Sequence, residues 1–332
     1  MNTIMKYLPW FIPLCGVFIG AFFLEAPPVA RTIDPEIGMS IPLPGSSSWR
    51  FTEGGSITRF KEHGLNAALP DGIANVYLHG DSYIEALMVP DEKKPDAVLT
   101  RELGGINLVW GIGRSGTGIP SFIVHAREYE RLFGMPKVHV FFVTSSDDIT
   151  GDNGDEYIWN ESGIHKCPPK TSRMQMSFVR MVNKYHLNFL ISCYNNFNRL
   201  KHKRWHFYPS ASSIVETNLP SPCLSTSELL DMLCDEIRRT IKAPVLFVYC
   251  PDTPVITNGC IIFQEGEECF LKLKGMDVLN VAPALNDLYK IKGILPRGYA
   301  NASGPGIGHL NVYGIEVVFS YVAKYLKDKY AL

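Results

Sequence analysis

Five short apolar runs alternate with stretches of helical periodicity, and this alternation is the strongest constraint on the fold. Amphipathic stretches at 121–133 and 226–241 fall between the runs. Strands that are apolar throughout are covered on both faces, and intervening helices allow them to run parallel. The sequence therefore predicts an α/β domain with a parallel sheet buried between helices. The predicted strands occupy residues 75–80, 106–111, 138–144, 244–250 and 277–283.

A serine follows the first predicted strand, in the sequence Gly80-Asp81-Ser82. In a parallel sheet, sites form at the carboxyl ends of the strands. A serine there, at the start of a helix, can present its backbone N–H and the positive helix end to a developing oxyanion. Gly80 would allow the chain to turn sharply close to a substrate. The alternative is that Asp81 or Ser82 only caps the helix.

A glycine-rich loop, GIGRSGTG, follows the second predicted strand at 111–118. It could present a free backbone N–H to the same pocket, or it could cradle a phosphate. Gly111, Gly113 and Gly116 match the spacing of a dinucleotide fingerprint, although the next strand does not end in the expected acidic residue. The loop also lacks the Gly-Lys-Ser/Thr ending of a P-loop. A nucleotide-binding protein stays open as an alternative.

The third predicted strand ends in an acidic loop at 144–153, and His309 lies in a glycine-rich loop before a C-terminal amphipathic helix. An imidazole there can reach the strand ends and deprotonate Ser82. A capping or packing role for His309 is the alternative. A serine, a glycine loop, a polar loop and a histidine thus follow one another along the chain, and we expect all four to meet at one edge of the sheet.

This ordered set resembles the SGNH, or GDSL-like, hydrolases, whose blocks carry Ser, Gly, Asn and His. The resemblance spans residues 70–330, through HGDSYIEA, GRSGTG and GHLNVYG. It implies a three-layer α/β/α sandwich, flavodoxin-like, with a five-stranded parallel sheet. It implies that Ser82 is the nucleophile and His309 its base. The implied oxyanion donors include the N–H groups of Ser82 and Gly116, with Arg114 as an alternative register.

Two departures from the family pattern concern acidic residues. Asp147 takes the place of the oxyanion Asn, with Asp81 and Asp148 as supporting residues, unless the loop has a shifted register. An ionised carboxylate would repel an oxyanion, whereas a protonated one could donate a hydrogen bond if its pKa were raised. The family's Asp, three residues before the His, is Gly306 here. Either a Ser-His dyad, oriented by a carbonyl or another carboxylate, does the chemistry, or the chain is a binding or assembly protein without turnover.

Residues 1–25 contain an uncharged apolar run at 7–24, near the minimum length for a membrane-spanning helix. Lys6 before it favours a cytoplasmic N-terminus and an exported domain. We expect an uncleaved transmembrane anchor, with a cleaved signal peptide as the alternative. Residues 26–69, rich in Pro, Gly and Ser at their start, are expected to be a linker and an extended entry segment to the hydrolase-like domain at 70–332.

An insertion at 150–225 separates the third and fourth predicted strands and contains a predicted helix at 172–198. Basic and aromatic residues follow at 199–209. They could bind an anionic polymer, although such stretches are more often solvated helix ends. The formal net charge of -1 gives no reason to expect nucleic acid as a partner.

The chain has eight cysteines, and Cys260 and Cys269 flank a predicted hairpin. These two could pair in an oxidising compartment, or they could be buried thiols. No Cys-x-x-Cys or His/Cys cluster indicates zinc. The expected chemistry needs no metal and no organic cofactor.

The predicted function is ester hydrolysis by a serine acyl-enzyme mechanism. A membrane-anchored, exported enzyme would act in the periplasm or outside the cell. Its substrate would be an ester-bearing small molecule or an acylated polysaccharide of the envelope or of the cell exterior. Transfer of the acyl group to a sugar, by an O-acyltransferase, is a close variant.

Overall fold

A computed structural model describes the following residues: 29, 31–50, 54–145, 147–150, 157–160, 163–166, 226–251, 254–257, 260–263, 275–299, 306 and 308–332. The predicted membrane segment at 7–24, the helix at 172–198 and the basic stretch at 199–209 lie outside these residues. Cys269 also lies outside them, and with it the pairing predicted for Cys260.

The described strands form one central sheet and four two-stranded ribbons. In chain order they are β1 (Arg31–Ile33), β2 (Ser40–Pro42), β3 (Ser47–Arg50), β4 (Ser56–Arg59), β5 (Val76–Gly80), β6 (Val109–Gly113), β7 (Val138–Val143), β8 (Tyr157–Asn160), β9 (Gly163–Lys166), β10 (Val245–Tyr249), β11 (Pro254–Thr257), β12 (Cys260–Phe263) and β13 (Asp277–Asn280). The α-helices are α1 (Ser82–Glu85), α2 (Pro95–Glu102), α3 (Ile119–Phe133), α4 (Asp147–Thr150), α5 (Thr226–Thr240), α6 (Ala282–Lys292) and α7 (Val312–Tyr330).

The central sheet has five parallel strands in the order β13-β10-β7-β5-β6. β5 lies between β7 and β6, where Val76 aligns with Val138 on one side and Val109 on the other. Every residue of β5 and of β7 is buried. The predicted five-stranded parallel sheet is confirmed, and its strands are apolar because both faces are covered.

Helices pack on both faces of the sheet, which confirms the predicted three-layer arrangement. One apolar cluster joins α2, α6 and α7 to the sheet, and it includes Val140, Val248, Leu285 and Phe319. The cluster on the opposite face joins α3 and α5 to the sheet, and it includes Phe122, Phe141, Leu233 and Phe247. Burial of each such side chain stabilises the fold by about 1.5–3 kcal/mol.

The second predicted strand, β6, starts and ends later in the sequence than predicted, at 109–113 rather than 106–111. Ile106, which the apolar pattern assigned to the strand, lies in the preceding turn and is 89% exposed. The later end carries the strand through Gly113. The glycine-rich loop therefore begins directly at the carboxyl edge of the sheet.

The segment predicted to be a linker and entry segment contributes to the core. It forms the ribbons β1–β2 and β3–β4, and its Ile37 and Met39 belong to a third apolar cluster with Tyr77 and Trp110. Strands of three or four residues are too short to give a readable alternation in a segment rich in Pro, Gly and Ser. The domain limits themselves stay a prediction.

Within the part of the chain that the structure describes, no helix is both long and apolar enough to cross a membrane. The longest of these helices, α7, has 19 residues. Its buried residues recur every three or four positions, as in a helix that packs one side on a sheet.

A chain of buried polar groups lies between the sheet and α3. His79 Nε2 is 3.0 Å from His139 Nδ1, and His139 Nε2 is 3.2 Å from Glu130 Oε1. Because an ionised carboxylate only accepts, we assign the His139 proton to Nε2, so that Nδ1 accepts from His79 Nε2–H. Burial, and then the charge of His139, lowers the pKa of His79 well below its usual value, and burial also lowers the pKa of His139.

The contribution of these two histidines to the free energy of unfolding should therefore fall as the pH drops below about 6.5, where an unfolded histidine takes up a proton but these buried ones resist. His79→Gln removes one of the two groups, keeps a donor for His139 and should make the fall shallower. Urea denaturation between about pH 5 and pH 8 gives the free energy at each pH. The same pH dependence in variant and wild type would contradict this account.

Candidate active site

The structure brings Ser82 and His309 together at the carboxyl edge of the central sheet. Ser82 is the first residue of α1, directly after β5, and His309 lies just before α7. Ser82 Oγ and His309 Nε2 are 2.9 Å apart, although the two residues are 227 positions apart in the chain. A hydroxyl bonded to an imidazole can lose its proton to the ring and attack a carbonyl carbon. This arrangement suits acyl transfer.

Asp81 fixes the start of α1 and contacts the serine hydroxyl. Its Oδ1 accepts a hydrogen bond from the Tyr83 N–H at 2.9 Å, and its Oδ2 is 3.3 Å from Ser82 Oγ. Burial raises the pKa of Asp81, and hydrogen bonds from the N–H groups of Tyr83 and Ser82 oppose that effect, as does the charge of His309. α1 has four residues, and Ala86 follows its last residue as the C-cap. A single turn has a small dipole, so the positive helix end contributes less than the sequence suggested.

The glycine-rich loop lies against α1, at the end of β6. Gly113 approaches α1 so closely that a Cβ there would be 2.1 Å from Glu85 N. Arg114 N–H donates to the last carbonyl of β5 at 3.0 Å, and Ser115 N–H donates to Glu85 Oε2 at 3.0 Å. Among the described residues, none accepts from the Gly116 N–H. Of the two registers predicted for the oxyanion donor, Gly116 is the one whose N–H has no acceptor among the described residues.

Glu85 joins this loop to the turn that begins with Ser82, and the motifs did not point to it. Its Oε2 accepts from both the N–H and the hydroxyl of Ser115, and its Oε1 accepts from Arg31. The side chain is buried. A buried carboxylate needs such partners. The signal in the sequence was an isolated charge in the apolar stretch after Ser82.

The chain around Gly298 holds the segment that carries His309. The two segments run antiparallel: Gly298 N–H donates to the His309 carbonyl at 3.0 Å, and Asn311 N–H donates to the Pro296 carbonyl at 3.0 Å. The Asn311 side chain also caps α7. Gly306, at the position of the family's Asp, has a φ of +77°, where a side chain would strain the backbone. Backbone contacts therefore help to hold the segment that carries His309, and position 306 contributes no carboxylate.

In the acidic loop after β7, the structure describes the side chain of Asp148. Its Oδ2 accepts from the N–H of Thr144 at 2.7 Å and of Ser145 at 3.2 Å. Burial raises the pKa of Asp148 to about 7, with a further contribution from the charge of Asp81. Asp147 is the first residue of α4, and its side chain lies outside the described part. Its oxyanion role stays a prediction.

The described residues contain no group of three or more His, Cys, Asp or Glu side chains able to hold a metal ion. Two cysteines of the described residues, Cys234 and Cys250, are buried. Cys250 lies at the end of β10, where its Sγ is 3.3 Å from Arg297 Nη2.

No protein-family model matches the sequence, and no curated protein matches it. Among solved structures, a carbohydrate acetylesterase family member from Sinorhizobium meliloti is similar, with 12% identity and a TM-score of 0.34 over 77% of this chain and 99% of that chain. A member of the lipolytic protein G-D-S-L family from Veillonella parvula has 11% identity and a TM-score of 0.37 over 76% and 98%. All these scores are below 0.5, so the fold assignment rests on this chain's own sheet and helices.

Asp148→Asn should stabilise the protein near neutral pH. The folded-state pKa of about 7 lies above the ordinary value of 3.8, so the contribution of Asp148 to the free energy of unfolding falls as the pH rises between these values. Asparagine keeps an oxygen to accept from Thr144 and has no charge to bury. The variant should gain on the order of a few kcal/mol at about pH 8 and little at about pH 4. Urea denaturation at both pH values measures the free energy of unfolding of variant and wild type. An equal effect of the substitution at both pH values would contradict the raised pKa of Asp148.

Proposed function

We propose that this chain is a carboxylic ester hydrolase that works through an acyl-enzyme intermediate on Ser82. The single observation that carries the proposal is the 2.9 Å contact between Ser82 Oγ and His309 Nε2. Acyl transfer needs this pair because a serine hydroxyl is a weak nucleophile until a base takes its proton. The resemblance of the sequence blocks to SGNH hydrolases supports the same chemistry.

In the first half of the reaction, His309 Nε2 takes the proton of Ser82 Oγ while the oxygen bonds to the ester carbonyl carbon. The tetrahedral intermediate then breaks its bond to the alcohol oxygen, which leaves with the proton from His309. In the second half, water gives a proton to His309 and attacks the acyl group. The acid leaves, and Ser82 recovers its proton.

The proposed oxyanion donor is the Gly116 N–H, for which no described residue competes. Ser82 N–H would join it when the ester is bound, in exchange for its contact with Asp81. In place of the family's Asn, a protonated carboxyl of Asp147 or Asp148 would donate the third hydrogen bond. The raised pKa of Asp148 supports this role, because a charged carboxylate would repel the oxyanion.

We also propose that residues 7–24 anchor the enzyme in a membrane and that it acts outside the cytoplasm. The support is an apolar run of sufficient length with Lys6 before it. An enzyme in that location would meet acylated polysaccharides of the envelope, and acetyl esters of such polymers are the proposed substrates. Transfer of the acyl group to a sugar hydroxyl uses the same first half-reaction.

A catalytically inactive binding or assembly protein is the second candidate. The observation that favours it is Gly306, which leaves the base without the acid that the family supplies at that position. Loss of an orienting acid lowers the rate greatly but leaves measurable catalysis. The two candidates therefore differ in whether the folded protein turns over an ester at all.

The full-length protein should hydrolyse an activated acetyl ester such as p-nitrophenyl acetate. Ser82→Ala and His309→Ala should each lower kcat by about 1,000-fold or more, because the two residues act as a unit. Stopped-flow or steady-state release of the phenolate measures the rate.

The matched control is Ser47→Ala, which changes an exposed serine of β3. It should have the wild-type rate, and a serine-reactive fluorophosphonate should label it but not Ser82→Ala. A folded wild-type protein that neither hydrolyses the ester nor reacts with the probe would contradict the proposal and favour the binding protein. Transfer of acetyl to an added sugar would identify the acyltransferase variant.

A further inference from the structure

Arg297 is a buried cation close to the candidate site that no motif indicated. It lies in the segment that runs antiparallel to the His309 segment, bridged to Leu310, and its exposed fraction is 1%. A guanidinium stays charged at every accessible pH. A charge so deeply buried is tolerated only where many oriented acceptors surround it.

One guanidinium nitrogen reaches both sequence neighbours of the proposed catalytic pair. Arg297 Nη1 donates to the Tyr83 hydroxyl and, at 3.1 Å, to the Gly308 carbonyl. The Tyr83 hydroxyl is itself 3.3 Å from that carbonyl. Tyr83 follows Ser82 in the chain, and Gly308 precedes His309. Arg297, Tyr83 and Gly308 thus form a closed triangle one residue away from both the nucleophile and the base.

The second terminal nitrogen of the guanidinium, Nη2, connects this triangle to the central sheet. Arg297 Nη2 donates to the carbonyls of Cys250 and Pro251, directly after β10. The guanidinium also lies over the Tyr83 ring, 4.8 Å from its centroid. The same ring packs on the imidazole of His309, with 5.0 Å between the ring centroids. The Tyr83 ring therefore packs on both Arg297, which holds it in position, and the imidazole of His309, the proposed base.

The shape of the guanidinium suits it to hold several groups at fixed separations. Its donors point in set directions in one plane, whereas a lysine ammonium is a point charge on a flexible stem. A shift of about 1 Å between reacting groups can reduce a rate by about 100-fold. The distance between Ser82 and His309 therefore depends on anything that fixes the relative position of their neighbours.

We propose that Arg297 is a positioning residue for the Ser82–His309 pair, because it binds the Tyr83 hydroxyl and the Gly308 carbonyl at once. This inference rests on the proposed ester hydrolysis at the same site. Arg297 touches neither the substrate nor the reacting atoms in this role. Its loss should affect the chemical step more than substrate binding.

The first test is the kinetics of Arg297→Met in the full-length protein. With rates corrected for the folded fraction, kcat should fall by about 10- to 100-fold while KM changes by less than about threefold, because the reacting groups are misaligned. Arg297→Lys keeps the charge but not the planar fork, and it should have an intermediate kcat. A kcat for Arg297→Met within about threefold of wild type would overturn the proposal.

Leu326→Ala is the control for a purely structural effect. Leu326 is fully buried in the second half of α7, toward the end where Lys329 contacts Asp277 at the start of β13. Leu326→Ala should lower the midpoint of unfolding at least as much as Arg297→Met does, while its kcat stays at the wild-type value. An equal loss of kcat in Leu326→Ala would mean that instability alone explains the loss, which would overturn the positioning role.

Tyr83→Phe decides the matter if Arg297→Met does not fold. It removes the hydroxyl from the triangle, keeps the ring on His309 and leaves the cation in the protein. It should lower kcat without raising KM, and the effects of Tyr83→Phe and Arg297→Lys should be less than additive, as expected for partners in one network. Unchanged kcat in Tyr83→Phe would count against the proposal.

A readout that needs no turnover separates this inference from the proposed function. In protein labelled with ¹³C at the histidine rings, the His309 signal, assigned with His309→Gln, should shift or broaden in Arg297→Met, and the His79 signal should not. If the wild type has no esterase activity but His309 responds, the positioning role stands and the proposed function fails. If His309 does not respond while the wild type is active, the positioning role fails and the function stands.

Discussion

The parallel alignment of β5 with its neighbours is the constraint on which the candidate site depends. Because Val76 aligns with both Val109 and Val138, β5, β6 and β7 reach the same edge of the sheet. The serine turn, the glycine-rich loop and the acidic loop therefore begin side by side. The antiparallel segments before α7 bring His309 to the same edge, where its Nε2 meets Ser82 Oγ.

Buried charges connect these loops to one another. Glu85 joins the serine turn to the glycine-rich loop through Ser115, and Arg297 joins the serine turn to the histidine segment and to the end of β10. Each charge is surrounded by hydrogen-bond partners, which is the condition for burying it. The hydrogen bonds thereby offset the free energy needed to bury these two charged groups. The same hydrogen bonds also hold the loops in place at the carboxyl edge of the sheet. Gly306 fits the same picture, because the histidine segment is held by backbone and arginine contacts.

The layout of the sheet could be predicted from sequence because each strand is an apolar run between helices. The boundaries of the strands could be predicted less closely, because Ile106 matches the apolar pattern of a strand but is exposed in a turn. The ribbons before β5 were missed because strands of three or four residues carry no clear period. The blocks around Ser82 and His309 predicted which side chains meet. No motif indicated Glu85 or Arg297. Their hydrogen-bond partners, such as the Ser115 N–H and the Pro251 carbonyl, lie in loops far away in the sequence and come close only in the folded chain.

The central claim is that Ser82 carries the acyl group during turnover, and peptide mass mapping of acid-quenched enzyme tests it most directly. During hydrolysis of an acetyl ester, an acetyl group should be found on the peptide that contains Ser82, bound to the serine oxygen. It should be absent from Ser82→Ala treated in the same way. Steady turnover in Ser82→Ala, or an acetyl group on a different residue that accounts for the turnover, would contradict the account.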